Sequence, residues 1–162
     1  SIVADRVCAI ILEGRQTVAV AESSAGGLVS AALLAIPGAS AFFLGGAVVY
    51  SRRAGKALLG LTAEDMAGMR AETEPYASFI AGRIRGSHRA TWGIAESGAA
   101  GPSGSPYGDA PGHVCLAIAG EAAASRTIET ADADRVSNMD VFARQLLLLF
   151  HETLLAHPGT PG

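Results

Sequence analysis

The stretch Thr17-Val-Ala-Val-Ala-Glu-Ser-Ser-Ala-Gly-Gly-Leu28 decides the expected fold of this chain. Its apolar part, together with the preceding Gln16, predicts a buried β-strand from Gln16 to Ala21 that ends in turn-forming residues. Gly26 and Gly27 then lead into a predicted helix over residues 28–35, which Pro37 and Gly38 end. A buried strand followed closely by a helix is typical of α/β proteins.

The rest of the chain continues this alternation. Further helices are predicted at residues 2–13, 52–59, from Thr73 to Gly86, and 136–155, with one more helical turn at 62–65; strands are predicted at 45–50, 90–95, 114–119 and 126–130. Because two strands follow each other near the end, the pattern predicts a three-layer α/β/α domain with a mixed sheet of about five strands. In such sheets, ligands bind beyond the carboxyl ends of the strands.

Composition favours a globular domain. Of the 162 residues, 49% are hydrophobic and 17% are charged, which predicts a single domain over residues 1–157 and a disordered tail at 158–162. The net charge of −3 argues against a nucleic-acid partner. No apolar run approaches the ~18 residues of a membrane span, and Asp5 and Arg6 interrupt the first apolar stretch, unlike a signal peptide. We therefore expect a cytoplasmic protein without a membrane partner.

The cysteines and histidines do not indicate a disulfide framework or a metal centre. Cys8 and Cys115 are far apart, and each lies in an apolar run, so both are predicted to be buried free thiols. The four histidines show no metal-ligand spacing. We expect neither a metal nor a cofactor.

Three polar segments follow predicted strands. Residues 22–27 offer Ser23 as a nucleophile beside glycines and a helix N-terminus. Residues 50–56 place the phenol of Tyr50 near three cations that suit a phosphate, and residues 97–104 are suited to wrapping a ligand with backbone N–H groups. Taken singly, the segments also fit an ordinary helix cap, a solvated basic turn and a mobile surface loop. We expect Ser23, Tyr50 and Ser97 to converge in one cleft.

In order and spacing, these segments resemble the C-terminal domain of the CinA family, the competence/damage-inducible proteins. The family motif A-E-S-C-T-G-G aligns with residues 21–27, and P-G-S-S-x-x-F-x-G-G-x-V-x-Y-S aligns with residues 37–51. The motif V-S-E aligns with Glu72-Thr73-Glu74, the S/T-G-I-A-G-P-x-G-G block with residues 97–105, and G-D-R with residues 133–135. The resemblance covers roughly residues 15–150.

This resemblance implies a metal-independent amidase of NAD salvage, which converts nicotinamide mononucleotide to nicotinic acid mononucleotide and ammonia. It makes Ser23 the nucleophile and Tyr50 its neighbour, with an oxyanion hole at the backbone N–H groups near Ser24 to Gly27. Arg135 would bind the substrate phosphate, although a surface residue at a helix start fits it equally well. The implied substrate-binding residues are Ser24, Ala25, Gly26, Gly27, Gly45, Gly46, Arg52, Ser97, Gly98, Gly101 and Arg135.

Several residues depart from the family pattern. Gly55 stands where the motif Y-S-N-x-x-K has the lysine that would activate the serine. Lys56 comes one position later, and on a helix one residue turns a side chain by about 100°. Arg52 and Arg53 cannot replace the lysine, because a guanidinium group stays protonated. The cysteine and threonine after the nucleophile are replaced by Ser24 and Ala25.

Three interpretations remain open from the sequence. The first is an amidase with Ser23 as nucleophile and Lys56 or another group as the base. The second is a paralogue that binds a nucleotide-like or other small ligand without turnover. The third is an interaction module that forms homo-oligomers through its apolar helices. The glycine at position 55 predicts low turnover that Gly55→Lys would raise.

Overall fold

The computed structural model describes residues 1–157, which form five α-helices, one short 3-10 helix and five strands. In chain order these are α1 (Ile2–Glu13), β1 (Val18–Glu22), α2 (Leu28–Leu34), the 3-10 helix (Ala39–Ala41), β2 (Phe43–Val48), α3 (Arg52–Leu59), α4 (Glu74–His88), β3 (Trp92–Gly98), β4 (His113–Ala119), β5 (Ala124–Glu129) and α5 (Arg135–Ala156). Within this part of the chain, no helix is long and apolar enough to cross a bilayer.

The strands form one mixed sheet in the order β2-β1-β3-β4-β5. Strand β1 is parallel to both β2 and β3, whereas β4 runs antiparallel to β3 and to β5. The predicted mixed sheet of five strands is confirmed. Because β2, β1 and β3 are parallel neighbours, their carboxyl ends meet at one edge, and the segments that follow them are brought together there.

Helices cover both faces of the sheet. Large side chains such as Val20, Trp92 and Ile94 face α1, α2 and α5 and form one buried core with them. The alternate residues of the same strands are small, for example Ala21 and Ala95, and they pack with α4 in a second core. Successive side chains of a strand point to opposite faces, so this alternation produces the predicted three layers.

The bounds of some elements differ from the prediction. Helix α4 continues past Gly86 to His88 and ends where Arg89 adopts a left-handed conformation, since an exposed glycine weakens a helix without stopping it. The predicted helical turn at 62–65 is a plain turn, in which Thr62 and Asp65 bond to each other's backbone N–H groups. Strand β3 extends through Gly98, so the long loop occupies residues 99–112. The tail predicted at 158–162 lies outside the described residues.

Candidate active site

The segment after β1 is held by a buried glutamate of β3. The carboxylate of Glu96 is fully buried and accepts hydrogen bonds from the Ser23 N–H at 2.5 Å, the Ala25 N–H at 2.8 Å and the Ser24 hydroxyl at 2.6 Å. Burial raises the pKa of Glu96, while the three donors favour its charged form and oppose that shift. Glu96 therefore fixes the backbone on both sides of Ser24.

A second buried glutamate occupies the N-terminus of α2. The carboxylate of Glu22 accepts hydrogen bonds from the N–H groups of Gly27 at 3.1 Å, Val29 at 3.0 Å and Ser30 at 2.9 Å. An anionic side chain thus satisfies the unpaired N–H groups and the dipole of this helix. These groups are consequently engaged within the protein.

Two hydrogen-bonding groups of the segment stay unused. Within residues 1–157, neither the Ser23 hydroxyl nor the Ser24 N–H has a hydrogen-bond partner. The other amides from residue 23 to residue 27 donate to Glu96, to Glu22 or to the Ser23 carbonyl oxygen. The segment therefore presents one hydroxyl and one N–H group that are free to contact a ligand.

Ser23 lies where two lobes of a cleft meet, beyond the carboxyl ends of the parallel strands. The lobes have volumes of about 390 Å³ and about 540 Å³, and both are lined by Ser23, Tyr50, Glu72 and Pro106. Residues 98–106, Ser24 and Arg135 complete the smaller lobe. Residues 49–76 supply most of the larger lobe, together with Ser97 and Tyr107.

Arg135 connects three parts of the smaller lobe. Its guanidinium group donates to the Gly101 carbonyl oxygen at 2.6 Å and to the Tyr50 hydroxyl at 3.3 Å. Tyr50 is 65% exposed, so this bond is its polar anchor at the mouth of the cleft. The arginine keeps further N–H donors for an anion in the lobe.

The loop at 99–112 is attached to the segment before α4. Asp109 forms a two-pronged ion pair with Arg70 at 2.7 and 3.2 Å, and it accepts a hydrogen bond from the Ser105 hydroxyl at 2.6 Å. The Arg70 guanidinium lowers the pKa of Asp109 to about 2. The same guanidinium lies 4.8 Å from the centre of the Tyr107 ring. These contacts fix the wall of the larger lobe.

Glu72 lies in the wall of both lobes with its backbone held at both ends. It has a left-handed conformation, with φ of 59°. Its N–H donates to the Ser97 hydroxyl at 3.0 Å, and its carbonyl oxygen accepts from Nε2 of His113 at 2.8 Å. Its carboxylate atom Oε2 is buried and has no partner in the described chain. Burial and the neighbouring charge of Asp109 raise the pKa of Glu72.

His113 is held between acceptors. Nδ1 faces the Glu129 carboxylate, and Nε2 faces the Glu72 carbonyl oxygen. Burial opposes protonation, but the hydrogen bonds to Glu129 and Glu72 outweigh it, so the pKa of His113 is raised. A doubly protonated imidazolium, which donates from both nitrogens, fits this position.

Most of the candidate residues from the sequence lie on this cleft. Those that line it are Ser23, Ser24, Tyr50, Arg52, Lys56, Ser97, Gly98, Gly101 and Arg135. Lys56 and Arg52 are exposed and lie at the larger lobe. Gly55 is buried there, and a Cβ atom built on it would lie 3.0 Å from Leu61 Cδ1.

Five candidate residues are not among those that line the cleft. Ala25 is fully buried in the core beneath the segment, and Gly26 and Gly27 provide left-handed backbone for the turn into α2. Gly45 and Gly46 lie on β2, where an added Cβ would collide with His88 and Ser30 respectively. These two glycines allow close packing on the edge strand.

The sequence prediction missed the glutamates at 72 and 96. Glu96 has a signal in the sequence, since it is a lone charge inside the buried strand W-G-I-A-E-S-G. Glu72 has one too, because it stands where the motif V-S-E has valine. Both signals gain meaning only from the contacts that the fold creates.

Fold and site together define an open α/β sandwich with a hydroxyl-bearing turn at its parallel strand ends. The family model described as the CinA C-terminal domain matches residues 1–154, so the chain belongs to this family. A CinA-like protein of Myxococcus xanthus is 36% identical over 148 residues, which are 90% of this chain and 35% of that protein. One of Synechococcus is 43% identical over 120 residues, or 72% of this chain and 29% of the relative.

Solved structures agree with this membership. A competence-damaged protein (CinA) superfamily structure from Klebsiella pneumoniae has a TM-score of 0.88 at 26% identity and covers 95% of this chain and 96% of that one. A competence or damage-inducible protein from Enterobacter asburiae has a TM-score of 0.87 at 28% identity, with coverage of 94% and 96%. The chain spans about a third of the length of the curated relatives, and nearly all of these two solved chains.

Proposed function

We propose that this chain is an amidase that hydrolyses the amide of nicotinamide mononucleotide through Ser23. The observation that carries the proposal is the free Ser23 hydroxyl at the junction of the two lobes, next to the unused N–H of Ser24. A nucleophile beside an N–H donor is what acyl transfer requires, because the donor stabilises the oxyanion that forms. Membership of the CinA family supports the proposal.

The proposed reaction has two steps. Ser23 Oγ attacks the amide carbon, the Ser24 N–H binds the oxyanion, and the C–N bond breaks to release ammonia. Water then hydrolyses the acyl-serine ester to give nicotinic acid mononucleotide and free Ser23. Arg135 binds the phosphate with the guanidinium donors that remain beside its bonds to Gly101 and Tyr50.

Binding without turnover is the second candidate, and position 55 favours it. The sequence resemblance gives the activating base to this position, which here has no side chain. Lys56 is exposed beside the larger lobe. In this alternative, the cleft retains a pyridine nucleotide or related small ligand and releases no ammonia.

A coupled ammonia assay on purified protein tests the proposal, with thermal shift by nicotinamide mononucleotide as the binding measurement. We expect ammonia release by the wild type and a fall to background in Ser23→Ala, while the ligand still stabilises both proteins. Ser87→Ala is the control, because Ser87 is exposed at the end of α4, outside the cleft. A thermal shift without ammonia release would favour the second candidate. The absence of both the thermal shift and ammonia release would contradict both candidates.

A further inference from the structure

The cleft is lined by Glu72, whose carboxylate has a buried oxygen without a hydrogen-bond donor in the described chain. Within residues 1–157, Oε2 of Glu72 is the one side-chain nitrogen or oxygen of a non-exposed residue that is fully shielded from solvent and has no hydrogen-bond partner. A buried acceptor without a partner destabilises the folded state, and more so when it is charged, so such an atom calls for an explanation. Glu22 and Glu96, the two fully buried carboxylates, are each held by three donors.

The position of Glu72 is fixed relative to Ser23 through β3. The Ser23 N–H is bonded to Glu96, and the Glu72 N–H is bonded to the adjacent residue, Ser97. Both Ser23 and Glu72 line both lobes of the cleft. His113 holds the Glu72 carbonyl oxygen and stabilises the left-handed backbone that this residue requires. The backbone of both residues is therefore anchored at the end of β3, and both residues line the same cleft.

Two departures from the family motifs fall within this one cleft. The lysine of Y-S-N-x-x-K is replaced by Gly55, and the valine of V-S-E is replaced by Glu72. One change removes a proton acceptor from the wall of the larger lobe, and the other introduces one into both lobes. A serine nucleophile needs a base, and a carboxylate can act as one within hydrogen-bond reach or through one water molecule.

We propose that Glu72 is the general base of this chain and takes over the role that the family motif gives to the lysine at position 55. The proposal rests on the amidase function proposed above. The Glu72 carboxylate takes the proton from Ser23 Oγ as that oxygen attacks the amide carbon. Protonated Glu72 then gives the proton to the leaving nitrogen, which departs as ammonia. In the second step, Glu72 takes a proton from the attacking water, and that proton returns to Ser23 Oγ.

Charged and titratable groups around Glu72 shift its pKa in both directions. Burial and Asp109 raise its pKa, while Arg70 and His113 lower it, and Tyr76 of α4 is a further titratable neighbour. The balance is a pKa above the ordinary value of a glutamate. A raised pKa makes this carboxylate a stronger base than an exposed one.

The test is a double-mutant cycle with Glu72→Gln and Gly55→Lys, assayed by ammonia release from nicotinamide mononucleotide. In the wild-type background, Glu72→Gln should lower kcat by about 10²-fold or more, the usual effect of a general base. In the Gly55→Lys background, the same substitution should cost far less, because lysine supplies the base. Glu74→Gln is the matched control, since Glu74 bonds Ser125 and Thr127 outside the cleft.

The pH profile separates a base from a structural residue. The acid limb of wild-type kcat/KM should follow Glu72, vanish in Glu72→Gln and move to higher pH in the double variant, because lysine titrates above glutamate. Thermal unfolding of each variant shows that it is folded, and the thermal shift by the ligand reports binding.

Each outcome decides between the two proposals. An active wild type whose kcat survives Glu72→Gln within twofold would overturn the role of Glu72 alone. So would an inactive wild type that Gly55→Lys activates. Absence of both ammonia and ligand-induced stabilisation in all four proteins would overturn the amidase function, and the inference with it.

Discussion

At the scale of single residues, three inward-facing glutamates have different partners. The Glu22 carboxylate accepts from three backbone N–H groups, and the Glu96 carboxylate accepts from two backbone N–H groups and the Ser24 hydroxyl. Both carboxylates shape the turn around Ser23. Among the described residues, Glu72 instead keeps a buried oxygen without a donor, while its own backbone is fixed from both sides. A buried polar atom without a partner needs an explanation, and a role in the cleft that Glu72 shares with Ser23 provides one.

Arg135 carries a prediction at this scale. Arg135→Ala should raise KM for nicotinamide mononucleotide by about 10-fold or more, because a charge-assisted bond to phosphate is typically worth about 1.5–3 kcal/mol. Nicotinamide riboside, which has no phosphate, should be processed with a much smaller change. Steady-state kinetics with both substrates measure the difference. An equal loss for both would instead assign Arg135 to holding Tyr50 and Gly101 in place.

At the scale of elements, the sequence predicts the bounds of a helix correctly where its capping residues directly flank it. Helix α3 has the predicted bounds, 52–59, because Ser51 caps its start and Gly60 adopts the left-handed conformation at its end. The site was predictable only in outline: Ser23 and Tyr50 follow parallel strands, Ser97 lies near the end of β3, and all three line one cleft. The partners of Ser23 were not predictable, since its bond to Glu96 joins residues 73 positions apart and depends on the finished sheet.

The loop at 99–112 gives the prediction at the element scale. Asp109→Asn should destabilise the protein by about 2 kcal/mol at pH 7, because it weakens charge-assisted bonds to Arg70 and Ser105. The pKa of Asp109 is lowered to about 2, so its contribution is present above pH 4 and is lost progressively as the pH falls toward 2. Urea unfolding at several pH values should therefore show the two proteins converging in acid. A difference that is constant with pH would contradict this assignment.

At the scale of the whole molecule, side chains of different size separate the sheet from the helices on its two faces. Valine, isoleucine and tryptophan side chains separate the sheet from α1, α2 and α5. Alanines and Gly93 face α4, which therefore comes close enough for a Cβ on Gly93 to lie 2.6 Å from Cβ of Arg85. This close approach sets the height of α4, whose first turn carries Tyr76 to the larger lobe.

Two glycine-to-alanine substitutions separate this close approach from helix propensity. Gly93→Ala should destabilise the protein by about 2 kcal/mol or more, since the added methyl group meets the Ala81 carbonyl and the Arg85 side chain on α4 and a packed core yields little. Gly82→Ala is the matched control on the exposed side of α4, where the new Cβ would meet no described atom within 4 Å apart from its chain neighbours and the backbone of its own helix. It should stabilise the protein by about 0.5–1 kcal/mol through helix propensity. Urea unfolding measures the stability of both variants.

Because Gly93→Ala displaces the helix that bears Tyr76, it should also raise KM, whereas Gly82→Ala should leave KM unchanged. Equal stability of the two variants would contradict a fixed close approach of α4 to the sheet.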